Sequence, residues 1–218
     1  MMRLIQGYRR FQSEVYSEHQ ATFARLTTGQ NPEALFITCA DSRVNPTLIT
    51  QSDVGDIFVC RNVGNLVPPH GEHTGGVSSA IEYAVVALDV RHIVVLGHSD
   101  CGAMKALLYP DRVAGMPAVS TWLQHAQTAS HVVTENFPEL RGADRLRKIT
   151  EENVLAQMDH LRTHPSVQAR LRRGVLRLHG WYYDIACGLI FAWDSEQNTF
   201  LPLHQAEDSE PAALVEAL

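Results

Sequence analysis

The chain has 218 residues, of which 45% are hydrophobic and 19% are charged, and its formal net charge is -6. This length and composition are typical of one soluble globular domain that buries its own core. The acidic balance argues against a nucleic acid bound through a basic surface, and no apolar run reaches the roughly twenty residues of a membrane span. Four cysteines, with no signal-like N-terminus, predict a reducing compartment and a cytoplasmic location.

The first thirty residues predict a helical arm that precedes the core. Their apolar side chains recur near helical spacing and alternate with charges. The arm either packs on the chain's own core or lies on a second subunit. We expect a single domain over residues 1–218, with the arm at 1–30, an α/β core at 31–205 and a loosely ordered tail at 206–218.

Short apolar runs bounded by turn residues predict the strands of the core. The expected strands lie at residues 34–39, 57–61, 93–96, 175–179 and 187–193. Alternation with helices predicts parallel pairing of the first four through right-handed crossovers. The gap before the last strand is too short for a helical crossover, which predicts antiparallel addition. The expected fold is α/β: a mostly parallel sheet of four strands plus a C-terminal antiparallel strand, flanked by helices.

Two thiols and an imidazole follow the ends of predicted strands. Cys39 ends the first strand, and His98 and Cys101 follow the third. Ligands of open α/β sheets bind outside the carboxyl ends of the strands, so these side chains are expected to converge. Zinc prefers such ligands, and three of them with one open position are typical of catalytic zinc. We predict one Zn²⁺ per subunit that activates water, against the alternative that each Cys is a small core residue.

Asp41 and Arg43 stand two and four residues beyond the first thiol. The Asp41 carboxylate can orient a nucleophilic water, or it can bind zinc as a fourth ligand and exclude water. A bidentate pair with Arg43 would hold Asp41 off the metal, a geometry that Lys cannot reproduce. We predict a catalytic role for both residues; the alternative is an Asp that caps a turn beside a surface Arg.

The motifs Cys39-Ala40-Asp41-Ser42-Arg43 and His98-Ser99-Asp100-Cys101 resemble the zinc signature of the β-class carbonic anhydrases. Further segments resemble this family along nearly the whole chain, among them 61–65, 75–76, 82–84, 152–154, 164–167 and 179–184. The resemblance implies a carbonic anhydrase, a hydro-lyase that converts CO2 reversibly to bicarbonate and a proton with zinc-bound hydroxide. It also implies a homodimer, or a tetramer or octamer built from dimers, in which the N-terminal helices embrace the partner.

The resemblance also implies a substrate pocket. Gln30, Phe58 and Tyr83 match the residues that line the CO2 pocket of plant-type members, and in a dimer the neighbouring subunit can supply some of them. Some bacterial members carry a Trp three residues before the first zinc cysteine, as part of a second bicarbonate site that closes the enzyme. Phe36 occupies that position here, which implies the plant-like subgroup with Asp41 off the metal, although Arg61 and Tyr183 are present.

Other functions are compatible with the same residues. A same-fold enzyme could hydrolyse CS2 or COS, and a zinc-bearing protein without turnover could sense bicarbonate. Segments 116–120 and 179–181 resemble the carbonic anhydrase of bacterial cyanate-degrading operons, which implies resupply of bicarbonate in cyanate metabolism. His70 and His73 lie in a Pro/Gly loop and are expected to be solvent-exposed. Cys60 and Cys187 are expected to be inert thiols in core strands.

Overall fold

A computed structural model describes residues 1–71 and 75–203 of the chain, and within them one sheet of six strands organises the fold. The strands are β1 (Ala34–Cys39), β2 (Ile57–Asn62), β3 (His92–His98), β4 (Arg177–Asp184), β5 (Leu189–Asp194) and β6 (Thr199–Pro202). Their order in space is β2-β1-β3-β4-β5-β6. The first four strands pair in parallel, and β5 and β6 add antiparallel. The α/β fold class expected from the sequence is confirmed.

Helices surround this sheet and precede it. They are α1 (Met2–Arg10), α2 (Tyr16–Glu18), α3 (Gln20–Leu26), α4 (Pro46–Thr50), α5 (Gly76–Glu82), α6 (Gly102–Leu108), α7 (Pro117–Trp122), α8 (Gln127–Asn136), α9 (Gly142–Thr163) and α10 (Pro165–Arg172). Short π-helical segments extend α1 at Phe11–Val15 and α5 at Tyr83–Ala87. Pro at the first turn of α4, α7 and α10 suits these helix starts, because its missing N–H would have no partner there.

The chain reverses direction across the sheet between β1 and β3. It leaves β1 for β2 on one side through α4, and then returns past β1 to reach β3 through α5. Because parallel crossovers are right-handed, opposite directions place α4 and α5 on opposite faces. The strand order therefore reverses between β1 and β3, and the carboxyl ends of strands at such a point are the place where open α/β sheets bind ligands.

The sheet packs differently on its two faces. Leu35, Ile37, Ile93 and Val95 point into the larger cluster, together with residues of α5, α9 and α10. Gly97 allows the close approach of β3 to α9, since a Cβ there would lie 2.8 Å from a methyl group of Val154. The opposite face carries a smaller cluster in which Phe36, Val94 and Leu96 pack with Val44 and Ile49, the latter from α4.

Three expectations from the sequence need correction. A sixth strand, β6, extends the antiparallel part of the sheet. β4 begins at Arg177 and continues to Asp184, so the segment expected as a connection is mostly strand. Cys187 is therefore not in a core strand. It is an exposed thiol in the tight turn that joins β4 to β5, where Gly188 has a φ of +72°.

The N-terminal arm lies on the outside of the described chain. No residue of its helices is buried, and several large apolar side chains are exposed, including Leu4, Tyr8 and Phe11. The expected tail falls in residues 204–218, outside the described residues. Among the described helices, none is both long and apolar enough to span a membrane.

Candidate metal centre

Three elements bring the predicted metal ligands to one edge of the sheet. Cys39 is the last residue of β1, His98 is the last residue of β3, and Cys101 immediately precedes α6. β1 and β3 are parallel neighbours, so their carboxyl ends lie side by side. Asp100, with a φ of +59°, turns the chain between His98 and Cys101. The short spacing of the second motif thus returns Cys101 beside the strand ends.

The three side chains fit a metal ion. One ligand atom from each of Cys39, His98 and Cys101 lies within 4.8 Å of the others, and all three residues are buried. A single zinc ion, with bonds to sulfur and nitrogen of about 2.0–2.3 Å, can be held by such a set. Zinc prefers thiolate and imidazole ligands, so the donor chemistry agrees with the spacing.

His98 presents the ring nitrogen that a metal requires. Its Nδ1–H donates to the carbonyl oxygen of Ser99 at 2.9 Å, which leaves the lone pair of Nε2 available. Nε2 is buried and has no hydrogen-bond partner among the described residues. A buried polar atom without a partner costs free energy, so this nitrogen is explained by a ligand that it binds.

A hydrogen bond between the two thiols favours the thiolate form of Cys39. The Cys101 side chain, followed in importance by that of His98, lowers the pKa of Cys39 to about 4 against the opposing effect of burial. The same bond to Cys39, together with burial, raises the pKa of Cys101. Backbone N–H groups also donate to the sulfurs: that of Gly64 reaches Cys39 Sγ at 3.4 Å. The site thus holds Cys39 as a thiolate, the form that binds metal.

Asp41 lies next to the candidate metal ligands and is held by hydrogen bonds from Arg43. The guanidinium donates to both carboxylate oxygens, Nε to Oδ1 at 3.0 Å and Nη2 to Oδ2 at 2.8 Å, and the Arg43 backbone N–H donates to Oδ1 at 2.9 Å. This pairing holds the pKa of Asp41 well below its usual range. Oδ2 lies 3.9 Å from His98 Nε2, so the carboxylate faces the point where the ligand atoms converge.

Asp100 completes this arrangement, and the sequence reasoning had not assigned it a role. Its carboxylate accepts a hydrogen bond from Arg43 Nη1 at 3.1 Å and forms an ion pair with Lys105 of α6. These two cations, Lys105 first, lower the pKa of Asp100. Arg43 is therefore fixed from both sides, between Asp41 and Asp100. The sequence could have indicated this role for Asp100, because the residue lies within the motif His98-Ser99-Asp100-Cys101.

Arg61 was also missed as a positioning residue. It lies on β2, the strand beside β1, and donates to the carbonyl oxygens of Cys39 at 3.2 Å, Asp41 at 2.6 Å and Val44 at 2.8 Å. These bonds tie down the loop that carries Asp41. The sequence placed Arg61 in a family segment and named it beside the second bicarbonate site, but the register of β2 against β1 is needed to see its carbonyl partners.

A polar network from α9 supports the opposite side of the site. Asn153 Nδ2 donates to the carbonyl oxygen of Gly64 at 3.1 Å, and Gln157 Nε2 donates to Asn153 Oδ1 at 3.0 Å. Gln157 Oε1 in turn accepts the Val67 N–H at 2.7 Å. Gly64 has a φ of +84°, and a Cβ there would lie 2.9 Å from the Cβ of Ala103, so only glycine suits this position. The loop that donates to Cys39 is thereby fixed.

The structure separates the predicted substrate-pocket residues from the ligands of the same chain. Phe58 pairs with Leu35, four residues before Cys39 along β1, which corresponds to roughly 13 Å of strand. Its ring lies 6.0 Å from that of Tyr83, which is half exposed. Gln30 is exposed in the loop before β1. These residues do not close around the ligand atoms of their own subunit.

Phe36 lies in the smaller apolar cluster of the sheet. The Phe36 ring contacts Trp181 edge to face, with the ring centres 5.7 Å apart, on the sheet face that also carries Tyr183.

His70 is exposed, as expected, and its ring lies 5.7 Å from that of His164, whereas His73 is outside the described residues. Cys60 is partly buried, and burial raises the pKa of its thiol, which agrees with an inert core residue.

Comparison with known proteins agrees with this site. The family model for carbonic anhydrases matches residues 34–190, a range that holds all three ligands as well as Asp41 and Arg43. The structure of the β-carbonic anhydrase CcaA has a TM-score of 0.90 and 45% identity, covering 93% of this chain and 98% of that one. The chain belongs to the β-carbonic anhydrase family.

Other family members match most of the chain. A carbonic anhydrase of Pseudomonas aeruginosa is 46% identical, over 98% of this chain and 96% of that protein. A carbonic anhydrase of Synechocystis is 46% identical, over 92% of this chain and 74% of that protein. Two tetrameric β-carbonic anhydrases from Sordaria macrospora are represented by a structure with a TM-score of 0.79 and 32% identity, covering 88% of this chain and 95% of that one.

Proposed function

We propose that the chain is a carbonic anhydrase that catalyses the reversible hydration of CO2 to bicarbonate and a proton. The observation that carries this proposal is the convergence of Cys39, His98 and Cys101 with an unpartnered Nε2, beside a carboxylate fixed by arginine. A zinc ion held by these three residues would supply a Lewis acid that lowers the pKa of a bound water toward 7.

Asp41 and Arg43 would prepare the nucleophile. Asp41 Oδ2 lies 3.9 Å from His98 Nε2. The ionised carboxylate can therefore accept a hydrogen bond from a water beside Nε2, and so direct a lone pair of that water's oxygen toward the carbon of CO2. Arg43 occupies both carboxylate oxygens and keeps Asp41 out of the ligand set. We therefore infer the open form of the site, in which Asp41 is not a metal ligand.

We propose that the substrate pocket is completed by a second subunit. Phe58, Tyr83 and Gln30 are too far from the ligands of their own chain to line that pocket, and a neighbouring copy could bring them there. The exposed apolar arm at 2–26 supports a homodimer or an assembly of dimers, because apolar surface of this extent is costly in water. Within this proposal, residues 1–218 act as one domain.

The cellular setting is part of the same proposal. All four cysteines are free thiols, which fits a reducing compartment such as the cytoplasm. The segments at 116–120 and 179–181 are the basis for proposing that the bicarbonate serves cyanate metabolism. Deletion of the gene in a strain growing on cyanate, with growth restored by high CO2, would support that role.

Zinc content and hydration rate together test the activity. Wild type should hold close to one zinc per chain and hydrate CO2 in a stopped-flow assay, whereas Cys101→Ser should lose zinc and activity together. Cys187→Ser is the matched control, because that thiol is exposed in a turn and should keep both. Wild-type protein that holds zinc but hydrolyses CS2 and leaves CO2 unchanged would overturn the choice of substrate.

A further inference from the structure

The indole of Trp122 is bonded to the loop that contacts the candidate metal ligands. Trp122 ends α7, and its Nε1–H donates to the carbonyl oxygen of Val63 at 2.8 Å. The side chain is partly buried and packs against the apolar cluster that contains Cys39 and Cys101. Val63 directly precedes Gly64, whose backbone N–H reaches Cys39 Sγ at 3.4 Å. Trp122 is therefore one peptide group away from a candidate metal ligand.

The two hydrogen bonds use opposite ends of the same peptide group. The carbonyl of Val63 and the N–H of Gly64 belong to one planar unit, and because this unit is trans, the two groups point in opposite directions. The indole holds one end, and the Cys39 sulfur lies at the other. Hydrogen bonds in such a chain polarise one another, so a donor on the carbonyl strengthens the N–H that faces the sulfur. A buried indole N–H usually finds an acceptor, and here the acceptor passes the effect on to Cys39.

The segment that carries Trp122 is itself fixed by the core. Leu123 and Ala126, which follow α7, are buried in the same apolar cluster as the two thiols. The carbonyl oxygen of His125 accepts Gln157 Nε2 at 3.0 Å, and the His125 ring lies edge to face against the indole, with the ring centres 5.2 Å apart. The indole N–H is thus presented by a fixed segment, which holds the loop from the side of α7 as the polar network holds it from α9.

We propose that Trp122 is a positioning residue of the metal centre, which sets, through the peptide group between Val63 and Gly64, how much charge the Cys39 sulfur gives to a bound metal ion. A hydrogen bond to a ligating sulfur withdraws electron density from it, and hydrogen bonds of this kind tune metal sites. The indole bond would therefore limit donation from the sulfur and preserve the Lewis acidity on which hydration depends. The inference rests on the proposed function and assigns a further residue to the same site.

Cobalt-substituted protein tests this role, because a thiolate bound to Co²⁺ absorbs at an energy that follows the electron density on the sulfur. Trp122→Phe removes the indole N–H. A second variant carries 3-benzothienylalanine at position 122, which keeps the shape of the indole but has sulfur in place of the N–H. Both should shift the thiolate-to-cobalt band to longer wavelength, since a weaker hydrogen bond raises the energy of the sulfur electrons. Both should also weaken zinc binding by about tenfold in competition with a chelator, because the sulfur loses a group that orients it.

Trp193→Phe is the matched control. Trp193 lies on β5 and packs against Phe200, with the ring centres 5.4 Å apart, so loss of its indole should leave the band and the zinc affinity as in wild type. An unmoved band in the benzothienylalanine variant would overturn the proposal, as would an equal shift in Trp193→Phe. Wild type without a thiolate-to-cobalt band would overturn the metal centre and this role together.

The CO2 hydration rate is measured separately from the absorption band. A shifted band in the Trp122 variants of an enzyme that leaves CO2 unchanged would support this role and contradict the proposed function. An unshifted band in variants of an enzyme that hydrates CO2 would do the reverse.

Discussion

Asp41 is positioned by contacts that begin with its own sequence neighbour. Three hydrogen bonds from Arg43 hold the carboxylate, and Asp100 holds the far side of the guanidinium. Because both oxygens are engaged, the carboxylate has a fixed direction toward the metal ligands. A lysine at position 43 would supply the charge but not the two parallel bonds.

Replacement of this carboxylate should separate catalysis from metal binding. We expect Asp41→Ala to lower kcat/KM for CO2 hydration by about 100-fold or more, the scale of a lost general base or orienting group. Zinc content should stay near one per chain, since Asp41 is not among the three ligands. Asp159→Ala, which removes an exposed carboxylate of α9, is the control. Full activity in Asp41→Ala would exclude the assigned role.

His164 gives the fold a dependence on pH that is independent of the metal centre. It is buried at the start of α10, and its Nε2–H donates to the Pro68 carbonyl at 3.0 Å. Burial lowers its pKa from the ordinary value of 6.5, so the unfolded chain takes up this proton at higher pH than the folded chain. The stability that neutral His164 provides is full above about pH 6.5 and is lost as the pH falls below that value.

His164→Gln should therefore flatten the pH profile of stability. Urea unfolding between about pH 5 and 7 should show a smaller loss of unfolding free energy on acidification than wild type. Glutamine can still donate to a carbonyl oxygen but does not titrate. His131→Gln, at an exposed position of α8, should lose unfolding free energy on acidification to the same extent as wild type. An unchanged slope in His164→Gln would show that other groups control the acid sensitivity.

The long helix α9 acts as a support for the loop at 63–67. It buries Asn153 and Gln157 among apolar residues of the core, where each is used as a donor or acceptor to that loop. Gln157 bonds to Val67, to Asn153 and to the carbonyl oxygen of His125. These side-chain hydrogen bonds thus link a helix on one face of the sheet to the edge where Cys39 lies.

Removal of Gln157 should destabilise the whole domain. We expect Gln157→Leu to lower the unfolding free energy by about 3 kcal/mol, since each buried polar group left without a partner costs about 1–3 kcal/mol. Chemical denaturation measures this loss directly. Gln124→Leu makes the same chemical change at an exposed position and should be nearly neutral. If Gln157→Leu lowered the unfolding free energy no more than Gln124→Leu did, the hydrogen-bond network of Gln157 would contribute little to stability.

The molecule as a whole exposes an apolar arm that its own core does not cover. Leu4, Ile5 and Tyr8 lie on α1 and are 71%, 42% and 60% exposed. The proposed occupant is a second copy of the chain, which the proposed pocket also needs because Phe58 and Tyr83 lie away from the candidate ligands of their own subunit. Assembly and catalysis are therefore expected to depend on the same contacts.

Polar substitution of the arm should dissociate the assembly. The variant Leu4→Ser/Ile5→Ser/Tyr8→Ser should show a lower molar mass than wild type by light scattering after size exclusion, because the apolar surface that drives association is lost. Arg3→Ser/Gln6→Ser/Arg9→Ser changes polar positions of the same helix and should keep the wild-type mass. A wild-type protein that is already monomeric would contradict the proposed dimer.

The convergence of the three candidate metal ligands and the parallel sheet followed from the sequence for a physical reason. Cys39, His98 and Cys101 are placed by strand ends, and strands buried on both faces are visible as nearly unbroken apolar runs. The pair of Asp41 and Arg43 was likewise predictable, because the two residues are almost adjacent in the chain. Such local patterns need no knowledge of distant contacts.

Other features depended on the tertiary structure. β6 is a short edge strand with little pattern of its own, and the end of β4 was set by pairing with β5, which left Cys187 in a turn. The bonds of Arg61 to three carbonyl oxygens, and those of Gln157 to Val67 and His125, join residues that are 17 or more positions apart. The sequence by itself determined which chemistry the chain carries, because local order sets ligand types and strand ends. Only the fold decided which distant groups hold that chemistry in place, because strand register and helix packing determine their distances.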